Sequence, residues 1–360
     1  MSKILFFSDL HVHMHKNQIS RLYDCLKVLE WVFQIAIKKN IKSIVFAGDL
    51  FQDKQRIHTI SYEKTFSIIR QYCENSDLKL YLLVGNHDMW YKDKWDISSI
   101  GPLNAINNVQ VIAEPCSIQI EGHYIDFLPY TKNPLKDIKT HFSHKKNQIL
   151  VSHCSVDGAL LNSAYNTKAE ISVEFEGDMV KVDKESFSGW RKVFLGHYHC
   201  SQELNDVVEY IGSPLELNFS EAFQQKHIII FDLKTFNSEY IINDFSPKHL
   251  IIKESDVDKY DIEGNFVQVI LDDITTTDLI SIKKIIKNTN PATLEFKENP
   301  KKRENELSEE DKSKIKSKVN LSDGNVLASW INARKDHIDS NKMDSNKLLT
   351  IVDEIIRKTK

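Results

Sequence analysis

Val84-Gly85-Asn86-His87-Asp88 decides how this chain is read. A run of apolar β-formers from Leu80 to Val84 ends at a glycine, and an amide, an imidazole and a carboxylate follow at once. In an α/β sheet, ligands bind in the crevice outside the carboxyl ends of strands. The design recurs four times. Ile4-Leu5-Phe6-Phe7 runs into Ser8-Asp9-Leu10-His11, and Ile44-Val45-Phe46-Ala47 into Gly48-Asp49. Ile149-Leu150-Val151 runs into Ser152-His153, and Val193-Phe194-Leu195 into Gly196-His197-Tyr198-His199. Five strand ends thus deliver three Asp, one Asn and five His to what reads as one rim, a metal-site constellation.

Around these motifs, 360 residues with 41% hydrophobic content can bury a sizeable core and leave room for a second or third small unit. Lys and Arg number 47 against 51 Asp and Glu, a formal charge of -4. That balance exerts no global pull toward nucleic acid or membrane, so a polyanionic substrate would need local patches or bound cations. Five scattered cysteines with no CxxC read as free thiols in a reducing compartment. Cys154 and Cys200 each follow a candidate ligand histidine, and both read as small buried hydrophobes before they read as sulfur ligands. Met1 leads straight into a strand, so no signal peptide is expected. No apolar run approaches the ~20 residues of a membrane helix, and the expected location is the cytoplasm.

Apolar residues Ile19, Leu22, Leu26, Leu29, Phe33 and Ile37 predict a helix over 19–38, with Ser20 near its start. A strand at 43–47, a helix from about 58 to 73 and a strand at 79–84 follow. This β-α-β-α-β order predicts parallel strands with covering helices. The dense apolar set from Trp90 to Ile106 reads either as packing of a short helix or as a self-association surface shared with the preceding helix, a homodimer contact over residues 58–106. From 109 onward the strands are short and predict a second sheet packed on the first, a four-layer αββα sandwich over 1–245. Residues 162–168 read as a polar loop near the rim. Residues 246–298 read as a small α+β unit, 299–320 as a Lys/Glu-rich linker, and 321–360 as two amphipathic segments too short to bury their faces alone.

The chemistry follows from the donor types. Two divalent cations roughly 3.5–4 Å apart generate a nucleophile at neutral pH and clamp an in-line displacement at phosphorus. Their ligands should be carboxylate, amide and imidazole with few thiolates. Asp9, His11, Asp49, Asn86, His153, His197 and His199 fit, with Asp49 the natural bridging carboxylate. His87 is then left free for proton transfer. No nucleophile elbow and no P-loop is present in the sequence.

Taken together and in this order, Asp9-x-His11, Gly48-Asp49, Gly85-Asn86-His87-Asp88, His153 and Gly196-His197-x-His199 resemble the calcineurin-like metallophosphoesterase superfamily. Carried over by position, one metal takes Asp9, His11, Asp49 and His199, the other takes Asp49, Asn86, His153 and His197, and His87 is the catalytic histidine. Gly48-Asp49-Leu50-Phe51 and Gly85-Asn86-His87-Asp88 look like the SbcD (Mre-eleven) type DNA repair nucleases rather than the protein phosphatases. Tyr210-Ile211-Gly212-Ser213-Pro214, the 246–298 unit (similar to a capping, DNA-binding domain) and the helical tail agree, and the layout is similar to large-bacteriophage versions. The resemblance implies Mn²⁺-dependent 3′→5′ exonuclease action on duplex ends, endonuclease action on single strands, and an SbcC-type coiled-coil ATPase bound through 321–360. A phage source would place it in the host cytoplasm.

One position departs. In the superfamily the third residue after the bridging Asp commonly supplies a carboxylate or imidazole that orients the catalytic His. Here it is Gln52, with Asp53 beside it. Gln52 can hold the His87 ring but cannot offset an imidazolium charge, so either Asp53 reaches in or the acid step weakens. Lys54, Arg56, Lys92, Lys94, Lys132 and Lys136 are candidates for tracking a DNA backbone. The competing readings are a small-molecule phosphodiesterase or phosphatase of the same superfamily, and a DNA-tethering scaffold with a degenerate site.

Overall fold

The computed structural model describes residues 2–15, 18–91, 94–143, 147–162, 167–271 and 289–298. Residues 272–288 of the small α+β unit, the linker 299–320, the tail 321–360 and Lys92 lie outside the described residues. The first half runs β1 (Lys3–Phe7), α1 (Ile19–Lys38), β2 (Ser43–Phe46), α2 (Thr59–Glu74), β3 (Lys79–Leu83), β4 (Val109–Ile112), β5 (Cys116–Ile120), β6 (His123–Leu128), α3 (Pro134–Phe142) and β7 (Ile149–His153). Then come β8 (Leu160–Asn162), β9 (Thr167–Lys168), β10 (Ser172–Phe175), β11 (Asp178–Lys181), β12 (Lys192–Gly196), β13 (Gln202–Glu203) and β14 (Val208–Tyr210). The last are β15 (His227–Asp232), β16 (Ser238–Ile242), β17 (His249–Lys253), β18 (Phe266–Leu271) and β19 (Thr293–Glu298).

Two six-stranded mixed sheets form the body, in the orders β16-β15-β1-β2-β3-β4 and β13-β14-β12-β7-β6-β5. Strands β1 to β4 are parallel, as are β6, β7, β12 and β14. Strand alternation explains the layering. Leu5 and Phe7 face α1 and α2, packing with Leu22, Leu29, Phe33 and Ile69. Ile4 and Phe6 face the other way, where Phe6 stacks on Phe194 of β12 at 4.3 Å between ring centroids. On the far face of the second sheet, Leu150 and Val193 pack with Ile138, Phe142 and Trp190. The α/β architecture expected from the sequence is therefore present.

Three sequence expectations need correction. Strands 109–112, 227–232 and 238–242 do not build the second sheet; β4 caps one edge of the first, and β15 and β16 add antiparallel to β1 at its other side. Helix α1 spans Ile19–Lys38 as expected, with Ser20 in its first turn; Gln18, which precedes it, gives no side-chain cap. Residues 89–108 contain only a short 3-10 turn, Gly101–Ala105, among the described residues. Ile100, Leu103 and Ile106 are buried, whereas Trp90, Tyr91 and Ile97 are exposed, so the apolar set divides between core and surface. The stretch 162–168 is not wholly loop: Asn162 ends β8 and Thr167–Lys168 form β9, which pairs antiparallel with it, while 163–166 lie outside the described residues.

The described 246–269 and 289–296 stretches belong to the same compact unit as the sheets. Strands β17, β18 and β19 form a three-stranded sheet. Arg21 of α1 places its guanidinium 4.4 Å from the Phe266 ring and donates to the Glu216 carbonyl, while His249 N donates to the Glu216 carboxylate.

Candidate metal centre

The candidate ligands lie at the carboxyl ends of β1, β2, β3, β7 and β12, His153 as the last residue of β7 and the others in the loops that leave the strands. The first two loops stay paired beyond their strands: Asp9 N donates to Gly48 O, His11 N to Asp49 O and Val12 N to Leu50 O, at 2.8–3.1 Å. Asp9, His11, Asp49 and His197 adopt left-handed φ values of 52°, 47°, 63° and 97°. Such backbone costs roughly 1–3 kcal/mol per non-glycine residue and concentrates at functional sites. The motif glycines have a packing reason. A Cβ on Gly48 or Gly196 would collide with His153 Nδ1, and one on Gly85 with the Asp49 carboxylate.

The seven side chains form two donor sets that meet at Asp49. In the first, Asp9, His11 and His199 converge: His11 Nε2 lies 3.0 Å from His199 Nε2, 3.7 Å from Asp49 Oδ2 and 3.9 Å from Asp9 Oδ1. In the second, His153 Nε2 lies 3.2 Å from Asp49 Oδ2 and 3.0 Å from Asn86 Oδ1, and His197 Nδ1 lies 2.7 Å from the same amide oxygen. Two imidazole nitrogens facing each other, and two more around one amide oxygen, bring several possible metal-ligand atoms together in each set. Burial and then His199 hold His11 well below its ordinary value, and burial and then His153 push His197 down to about 3, so both keep lone pairs. For His153, burial opposes the charge, but Asp49 outweighs it and lifts the ring to about 9. The donor set fits a pair of divalent cations.

Outer contacts orient these ligands. His153 Nδ1 donates to Ala47 O at 2.7 Å, which aims Nε2 inward. His199 Nδ1 meets Glu221 Oε1 at 2.9 Å. The other oxygen of Glu221 accepts from Lys226 Nζ at 2.6 Å and Ser213 Oγ at 2.9 Å. Against the effect of burial, Lys226 and His199 keep the Glu221 carboxyl well below the usual range. Asp88 Oδ2 accepts from Asp49 N and Gly85 N and its Oδ1 from Leu50 N, while Asp49 Oδ1 accepts from His87 N. That exchange ties the β2 loop to the β3 loop. Burial, then repulsion from Asp49, raises Asp88 to about 7. Sequence reasoning assigned neither Glu221 nor Asp88 a role.

His87 stands beside this centre, its ring 4.9 Å from that of His11. Its Nδ1 donates at 2.6 Å to the backbone carbonyl of Gln52. Main chain, not the Gln52 amide, thus orients the ring. Asp53 Oδ1 accepts from Gln55 N and Arg56 N, closing its own turn. A cleft of about 340 Å³ is lined by Gln52, Asp53, Lys54, Gln55, Asn86, His87 and Tyr130. A larger cavity of about 450 Å³ between 215–226 and 242–260 contains none of the candidate ligands. Cys154 and Cys200 are buried free thiols, and burial pushes Cys154 up to about 12, a neutral group unsuited to ligation.

Residues 2–201, the span that carries all five strand-end motifs, match the calcineurin-like phosphoesterase family. The chain belongs to that family. Like other calcineurin-like phosphoesterases it is a hydrolase with a divalent-metal centre. It is similar to Exonuclease subunit 1 of Enterobacteria phage T4, 26% identical over 243 residues that cover 67% of this chain and 68% of the relative. It is also similar to the SbcD component of nuclease SbcCD from Staphylococcus epidermidis, 24% identical over 296 residues covering 74% of each. The corresponding component from Bacillus subtilis (strain 168) is 24% identical over 264 residues, covering 64% of this chain and 66% of the relative. No helix among the described residues is long and apolar enough to cross a membrane.

Proposed function

We propose that this phosphoesterase is a DNA nuclease, the nuclease component of an SbcCD-like end-processing complex, using two Mn²⁺ ions. The observation that carries the reading is Asp49, whose Oδ2 faces both His11 and His153 and so joins two complete donor sets. Similarity to a phage exonuclease and to the SbcCD nuclease supports DNA as the diester. Bound there, two divalent cations supply charge neutralisation at phosphorus and an activated water. The chain's own residues do the rest. Asp9, His11, Asp49 and His199 hold one ion, and Asp49, Asn86, His153 and His197 the other. His87, with Nδ1–H fixed on the Gln52 carbonyl, presents Nε2 to the cleft and, as imidazolium, donates a proton to the leaving 3′ oxygen. Tyr130 and Lys54 form the cleft wall along which a backbone can lie.

The polarity is 3′→5′ on duplex ends, with endonuclease action on single strands. A homodimer through residues 58–106 has support in the exposed Trp90, Tyr91 and Ile97. Residues 321–360 dock on a coiled-coil ATPase, and residues 246–298 contribute to DNA binding. The test is release of nucleotides from linear duplex DNA with and without Mn²⁺. Wild type should degrade DNA only with metal, and Asp49→Asn should abolish this. Turnover of a small phosphodiester with DNA untouched would overturn the proposal. The full chain should capture a coiled-coil ATPase and lose it when residues 321–360 are deleted; no capture by the full chain would remove the partner.

A further inference from the structure

Outside the main centre, three more histidines form a cluster. The loop leaving β1 alternates His11, His13 and His15. His11 turns inward to the main centre, whereas the His13 ring faces both His15 and the start of α2, where His58 precedes Thr59. The His13 ring lies 5.3 Å from that of His15 and 5.8 Å from that of His58, centroid to centroid, with interplanar angles of 79° and 54°.

These spacings have a ruler inside the same molecule. In the main centre the paired ligand rings stand 4.7 Å apart for His11 and His199, and 5.2 Å apart for His153 and His197. Two imidazoles on one tetrahedral ion, with metal–nitrogen bonds of about 2.0–2.1 Å, must stand at this order of separation. Two further observations point to a ligand. His13 Nδ1 is sealed from solvent and has no hydrogen-bond partner, a state that is costly if left unmet. His15 Nε2 lies 3.2 Å from the His11 carbonyl, which can only accept, so Nε2 carries the hydrogen and Nδ1 keeps the lone pair. That is the arrangement His153 uses in the main centre, where Nδ1 donates to Ala47 O and frees Nε2.

We propose that His13, His15 and His58 form a third, mononuclear metal site for a borderline transition ion such as Zn²⁺ or Co²⁺, with water completing a tetrahedron. The donor sets that already converge among the described residues all belong to the main centre, so this one closes by rotation of side chains. His58, exposed and without a capping hydrogen bond, is free to turn. The two kinds of centre select differently. Carboxylate, amide and imidazole together suit Mn²⁺, while an all-imidazole set favours ions later in the divalent series. The site joins the loop that carries His11 to the segment between Gln52 and α2, so its occupancy staples one wall of the cleft without entering it.

The experiment is a Co²⁺ titration of the full chain, followed by visible absorption and by metal content after removal of weakly held ion. Wild type should take up three equivalents, the third bringing an intense tetrahedral band. His13→Asn and His58→Gln should each stop at two and lose that band, while Mn²⁺-dependent hydrolysis stays within about twofold of wild type. Because His58 is exposed, its variant folds even where the His13 variant does not. Equal uptake and equal spectra in wild type and His58→Gln would overturn the site. The outcome is independent of whether the main centre cleaves DNA.

Discussion

Among single residues, the proposed roles of His87 and Glu221 can be separated by experiment. His87→Ala should lower kcat by roughly 10²–10⁴-fold and leave the number of bound Mn²⁺ ions unchanged, which metal analysis beside steady-state kinetics would check. Gln52→Ala should cost no more than a few-fold, since the carbonyl of residue 52 makes the bond to Nδ1; a loss as large as that of His87→Ala would show that the Gln52 side chain matters. Glu221→Gln removes the charge shared by His199 and Lys226. Such outer-contact changes weaken metal affinity by about 10–100-fold, so the Mn²⁺ concentration for half-maximal activity should rise by that factor. The sequence made the candidate ligands legible because each stands at or just past the end of an apolar strand. It hid Glu221, a lone acid 22 positions after His199 in a 3-10 turn, whose value depends on a fold that brings the two together. Asp88 was visible inside its motif, yet nothing in Gly-Asn-His-Asp says that the carboxylate accepts three backbone N–H groups.

Among the elements, helix α1 and the strands that end at ligands were legible from period and length, because local burial writes both patterns. Sheet membership was not. β4, β15 and β16 read like any other short strand, and their place beside β3 and β1 depends on long-range pairing that no strand records in itself. Strand β1 is packed on both faces. Phe6 lies between the sheets against Phe194 and Phe231, so Phe6→Ala should destabilise by about 3–5 kcal/mol, measured by urea denaturation. Strand β15 begins at His227, packed on Tyr240 of β16 at 4.8 Å. Burial and then the neighbouring Lys226 lower this ring to about 4. The unfolded chain, with His near 6.5, therefore binds more protons. This contribution is full above pH 6.5 and is lost as pH falls toward 4. The urea midpoint should drop across that window, and His227→Phe should flatten the drop.

In the molecule as a whole, two sheets place five parallel strand ends on one edge, and that convergence is what makes a chain of net charge -4 able to act on a polyanion. Cations held by Asp9, Asp49 and their partners would also stabilise the fold by mass action. Chelation should lower the melting temperature and Mn²⁺ should restore it, an effect that Asp49→Asn should abolish. The most direct measurement is anomalous diffraction at the manganese edge from crystals soaked in Mn²⁺. Two peaks roughly 3.5–4 Å apart, both bonded to Asp49, are the expected result. A single peak at the rim, or two peaks with Asp49 bonded to neither, would contradict a centre bridged by that carboxylate.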